Sequence, residues 1–173
     1  MANDVSEMKT EEDQLIATFR LGEGTFGIDT ALIQEVVMTG DLTPVRHAPG
    51  YVAGIRNLRG RIITVIDLRV RLGLGCVAHD PGNRILIVDW KGEPVGVLVD
   101  RVADTVTVGA DALQATPPNL HGVQMQNLLG VFRSGERLVA LLDPVPVLDP
   151  DDRTGPPLQQ EGTRDELKGA GSR

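Results

Sequence analysis

One cysteine, one tryptophan and one tyrosine in 173 residues leave several functions without raw material. Cys76 has no second thiol with which to form an internal disulfide or a metal-ligand pair, so it reads as a small buried hydrophobe. His47, His79 and His121 are far apart and form no HxH, HxxxH or HExxH arrangement, which leaves a metal site unsupported. The serines, Ser6, Ser134 and Ser172, lie outside any GxSxG elbow, and neither a Walker sequence nor GxGxxG occurs among the glycines. The chain therefore predicts no catalytic residues, no cofactor and no metal. No apolar run approaches the roughly 18 residues that a membrane-spanning helix needs. The opening MANDVSEMKTEEDQ lacks the basic and apolar regions of a signal peptide. A cytoplasmic protein without direct membrane insertion is expected.

Positive charge is also scarce. The formal net charge is −7. Residues 1–13 carry five acids and one base, and residues 149–173 six acids and four bases, so the central part is close to neutral. It has no basic stripe of the kind that neutralises phosphates, and nucleic acid is excluded as the expected ligand. Both end segments are polar and charged with little to bury, and are read as disordered tails.

What is abundant is Val, Leu and Ile. They carry most of the 41% hydrophobic content, whereas aromatics are only 3%, a mixture suited to pleated surfaces. The dominant period is two. Leu15, Ala17, Phe19 and Leu21 alternate with their neighbours, Gly22-Glu23-Gly24 supplies a turn, and Thr25-Phe26-Gly27-Ile28 restarts a strand. A second hairpin is predicted from Arg84–Val88 and Val95–Val99, with Pro94 at the turn or strand edge. Helical signals are short. Asp29 or Thr30 is placed to cap a helix through Ala31–Val37, Pro49 to begin a single turn, and Asp67 to cap another through Leu68 and Leu72.

The chain also repeats itself. LIATFRLGEGTFGIDTALIQEVV (15–37) parallels RILIVDWKGEPVGVLVDRVADTV (84–106), with Gly27 and Gly96 in register. GIRNLRGRIITVID (54–67) parallels GVFRSGERLVALLD (130–143), with the extra residues placed in a loop around Ala115–Gln126. The fold class expected is all-β with a few short helices: two small five-stranded β-barrels packed on one another. The first lobe would span 14–81 and the second 82–148, each too small to be robust alone.

The segment that stands out is Asn57-Leu58-Arg59-Gly60-Arg61 followed by the apolar strand Ile62–Ile66 and Asp67-Leu68-Arg69. A rigid hairpin tip is a good platform for presenting a guanidinium to a partner. In these residues, in FRLGEGTFGIDTALIQEVV, and in the Pro44–Pro49 loop followed by GYVAGIRNLRG, the chain resembles the CheW family, the coupling proteins of bacterial chemotaxis arrays. The resemblance extends more weakly to LLDPVPVL, covering about residues 14–148.

The resemblance implies two barrels with a hydrophobic junction. It further implies a non-enzymatic adaptor that binds the cytoplasmic tip helices of chemoreceptors and the regulatory domain of a CheA-type histidine kinase, recruited to receptor arrays at the inner face of the membrane. Coupling of this kind requires two surfaces with linked affinities and no chemistry. The family's receptor-facing surface carries over onto Ile33, Glu35 and Arg59, with Gly54 supporting the bend before the hairpin. Glu35, on the short helix, is expected to pair with Arg59, while Val36 and Val37 join Ile33 in lining an apolar groove.

Three departures from the family pattern are present. Thr64 stands where proline is common, Arg46-His47 replaces a frequent proline, and Pro144 and Pro146 shorten the C-terminal helix. The last leaves the kinase-facing residues unassigned. The competing readings are a coupler for a non-flagellar chemosensory pathway, a detached kinase regulatory domain, and a ligand-binding or hydrolytic barrel using His47, His121 and Asp143.

Overall fold

The computed structural model describes residues 13–149 apart from 76, 77, 79, 119, 121, 122 and 124. Cys76, His79, His121 and nearly all of both tails thus lie outside the described residues. Within them the chain forms β1 (Gln14–Leu21), β2 (Gly24–Asp29), β3 (Ile33–Met38), β4 (Val52–Leu58), β5 (Arg61–Asp67), α1 (Leu68–Leu72), β6 (Arg84–Trp90), β7 (Glu93–Val99), β8 (Arg101–Val108), β9 (Leu128–Ser134), β10 (Arg137–Leu142) and α2 (Pro144–Leu148). The class is all-β, as expected.

The strands form two five-stranded sheets, ordered β8-β1-β2-β10-β9 and β3-β6-β7-β5-β4. The sheets do not coincide with the halves of the sequence. The β1–β2 hairpin from residues 14–81 joins β8, β9 and β10, and the β6–β7 hairpin from residues 82–148 joins β3, β4 and β5. Each hairpin crosses over and pairs in parallel with a strand of the other half, β2 with β10 and β7 with β5. A boundary at 81/82 therefore divides the repeat but not the sheets.

The repeat itself is visible atom by atom. Thr43 and Ile55 exchange backbone hydrogen bonds of 2.9 and 2.8 Å, and Gln114 and Val131 do the same at 2.7 and 2.9 Å. Gly54 and Gly130, each just before its bridge, have φ of 153° and 158°. Asp67 caps α1 by accepting from the amides of Arg69 and Val70, and Asp143 caps α2 by accepting from that of Val145. Both bridges are isolated. They fill the seam between the outer strands β3 and β4, and between β8 and β9, where a closed barrel would carry a continuous ladder. The sheets are consequently open, which corrects the expected barrels: the links from β3 to β4 and from β8 to β9 occupy the edge that closure requires.

A second correction concerns residues 31–37. Asp29 does cap a turn, accepting from the Ala31 amide at 2.9 Å, but that turn is a single 3-10 turn, Thr30–Leu32. From Ile33 the chain runs as β3, antiparallel to β6. The β-branched Ile33, Val36 and Val37 suit a strand, and β6 offers an unpaired edge whose ladder a helix would leave unmet.

Period-two alternation divides the apolar side chains among three clusters. On β6, Ile85 and Ile87 face a small core with Ile63, Val65 and Leu98, whereas Leu86 and Val88 face the opposite way. On β10, Val139 and Leu141 join Ile16, Val108 and Phe132, while Ala140 and Leu142 turn away. The residues that turn away meet in one large core between the sheets, with Phe19, Phe26, Leu68, Leu72, Val147 and Leu148. Neither sheet owns that core, so the two sheets stabilise one another.

Candidate functional site

The β4–β5 hairpin turns through Arg59 and Gly60, at φ of 52° and 83°. Positive φ at both central residues is the geometry whose twist matches the flanking strands. The Asn57 carboxamide oxygen accepts from the Gly60 amide at 2.9 Å and pins the turn. The β6–β7 hairpin uses the same chemistry: Asp89 accepts from Gly92 at 2.9 Å, with Lys91 at φ 52°.

The pinned tip aims Arg59 at β3. Its Nη1 and Nη2 donate to Oε1 and Oε2 of Glu35, both at 2.8 Å. The pair joins the two outermost strands of the second sheet, β3 directly and β4 through its tip. The Arg59 side chain remains 75% exposed and that of Glu35 27%, so the bond adds at most about 1 kcal/mol to stability. What it fixes is direction, since a two-pronged bond holds the guanidinium plane. A further tie, not foreseen from sequence, lies along the same seam: Arg56 on β4 donates to the carbonyls of Met38 and Thr39, the latter at 2.9 Å. The alternation of charge and apolar side chains along β4 gave no sign of it.

The other expected site residues separate. Ile33 is half-buried against the large core, and Val37 packs on the small core of the second sheet. Val36, between Glu35 and Val37, is 45% exposed. Neighbours on a strand point to opposite faces, so Val36 and Val37 lie on opposite sides of β3. Gly54 is buried at a register shift in β4, where an added Cβ would lie 2.7 Å from the Thr43 carbonyl oxygen. Its place is structural support beneath the seam. His47 lies in the β3–β4 link and Asp143 is taken up in capping α2. Among the described residues no group of three metal-ligating side chains comes together.

A family model for the CheW-like domain matches residues 16–151, the stretch that holds both sheets. The chain belongs to the CheW-like family. It is 34% identical over 137 residues to a chemotaxis protein CheW from Treponema pallidum, covering 77% of this chain and 80% of that one. A CheW from Rhizobium meliloti is 31% identical over 143 residues, 83% and 92% of the two chains. The solved structure of the scaffolding protein TtCheW from Thermoanaerobacter tengcongensis superposes with a TM-score of 0.73 at 26% identity, covering 84% of this chain and 94% of that one. The CheW assignment makes the chain a chemotaxis coupling adaptor.

Two further clusters escaped the sequence reading. Arg69, of the CheW-like DLR segment, makes a two-pronged bond to Asp100 with one arm at 2.9 Å, and Asp100 also accepts from the Gly22 amide at 2.6 Å. One carboxylate thus ties α1 to the β1–β2 turn of the other sheet. Arg71, 4% exposed, donates to the carbonyls of Pro146, Val147 and Asp149 at the end of α2 and lies 4.4 Å from the Tyr51 ring centroid. A cation there meets the negative end of α2. The signal available in sequence was only the repeat, which makes α1 and α2 equivalent elements capped by Asp67 and Asp143.

Proposed function

We propose that this CheW-like chain couples without catalysis, offering the seam of its second sheet to a chemoreceptor tip helix and a separate surface to the regulatory domain of a CheA-type kinase. The observation that carries the receptor half is the Glu35–Arg59 pair, which holds an exposed guanidinium at a fixed angle on a rigid tip. Exposed Ile62 stands three residues past Arg59, while Val36 and Met38 are exposed on the face of β3 opposite Glu35. An exposed apolar side chain beside an oriented charge is what an amphipathic helix recognises. Ile33 and Gly54 serve this surface from beneath. The apparatus reaches the inner face of the membrane through its receptor; no helix among the described residues is long and apolar enough to cross a membrane.

The test is binding of a receptor cytoplasmic fragment to the wild-type chain, to Glu35→Arg, to Arg59→Glu and to the double exchange. Each single change is expected to weaken binding by roughly tenfold or more, the range of an interface hot spot. Wild-type affinity in both single variants would refute the assignment of this surface.

A further inference from the structure

The only tyrosine and the only tryptophan of the chain, Tyr51 and Trp90, line the same open groove of about 480 Å³. Its remaining apolar lining comes from Pro49, Val52, Ile66, Val95 and Leu148. A groove of this size lies within the range that takes a short peptide or small ligand. Neither Glu35 nor Arg59 lines it. Trp90 is half-buried, and its indole nitrogen is enclosed, with no hydrogen-bond partner among the described residues. Aromatic side chains flanking a trough form the kind of surface that receives a polyproline II segment.

The described residues end at this groove. α2 ends in the groove wall, where Leu148 and Asp149 both line it. The exit is held in place: Arg71 donates to the Asp149 carbonyl at 3.2 Å, and Lys91 Nζ lies 3.3 Å from the Asp149 carboxylate. Beyond it the sequence runs Pro150-Asp-Asp-Arg-Thr-Gly and then Pro156-Pro157-Leu158. Seven residues reach at most about 23 Å, more than enough to bring Pro156 back over the trough, and three residues of polyproline II span about 9 Å. We propose that Pro156-Pro157-Leu158 docks in the Tyr51–Trp90 groove of its own chain. A tether this short holds the segment at an effective concentration in the millimolar range, so weak intrinsic affinity suffices. The tail then competes in cis with anything else that takes the groove.

Trp90, being the sole tryptophan, reports directly. Acrylamide quenching and emission are compared for the full chain and the full-length double substitution Pro157→Asp/Leu158→Asp. The substitution is expected to raise the quenching constant and shift emission to the red. A synthetic peptide of residues 153–162, added at millimolar concentration, is expected to reverse both changes. The amide signals of Val52 and Val95 should move in the same two experiments. Identical quenching in the two chains overturns the proposal. So does protection that depends on protein concentration, which would make a second copy the occupant. Protection that appears only on adding a receptor or kinase fragment overturns it as well. The measurement uses the chain alone, so its outcome is independent of the receptor-coupling reading.

Discussion

Gly54 and Gly130 occupy the same backbone site in the two halves of the chain: each has φ near 155°, and in each a Cβ would meet a carbonyl oxygen, that of Thr43 at 2.7 Å or that of Gln114 at 2.6 Å. The contact is with backbone that is itself held by a bridge, so neither site can relax by turning a side chain. Both glycines let the β3–β4 and β8–β9 links lie against the sheet edge and fill the seam.

From this follows a paired prediction. Gly54→Ala and Gly130→Ala should each lower unfolding free energy by roughly 2–3 kcal/mol, a backbone-strain cost, and by similar amounts. Urea denaturation of the two variants checks it. A neutral substitution at either site would show that the link can move aside.

The two caps give a second pair. Asp67→Ala and Asp143→Ala each remove a side chain that accepts from the first-turn amides of a short helix. About 1 kcal/mol is expected at each cap, with the larger loss at Asp67 because that residue is also buried. Thermal melting of both variants under one buffer decides the order.

Much of this architecture was legible. The hairpins were readable because alternation of apolar residues and glycine-bearing turns are local signals, and the duplication because it preserves spacing. β3 was misread because Asp29-Thr30 is a genuine cap and Leu32 and Val36 fall at helical spacing; only the empty edge of β6, a long-range fact, decides for a strand. The exchange of hairpins between sheets was invisible for a related reason. β1–β2 and β6–β7 fix their own pairing, but nothing in them says which sheet they will join. Of the site, the Glu35–Arg59 pair was foreseen through family resemblance, whereas Tyr51 and Trp90 lie 39 residues apart in different hairpin segments and come to one groove only in three dimensions.

Arg71 supplies a third prediction. Arg71→Met keeps the apolar stem but strips two α2 carbonyls and that of Asp149 of their donor, and should cost roughly 2–3 kcal/mol, as for charged hydrogen bonds. Hydrogen exchange should localise the damage to residues 144–149 before any other element. Uniform loss of protection across both sheets would contradict the clamp.

For the exposed pair the expectation is the reverse. A double-mutant cycle on Glu35→Ala and Arg59→Ala should give a coupling energy in stability of at most about 1 kcal/mol, shrinking as salt is raised. A large, salt-independent coupling would mean that the pair belongs to the fold and is not chiefly a recognition device.

The most direct test of the account is kinase autophosphorylation in a three-component mixture of receptor fragment, CheA-type kinase and this chain. The wild-type chain should make kinase activity depend on the receptor, and Arg59→Ala should abolish that dependence while melting within a few degrees of wild type. An Arg59→Ala chain that couples as well as wild type, or a wild-type chain that leaves the kinase indifferent to the receptor, would contradict it.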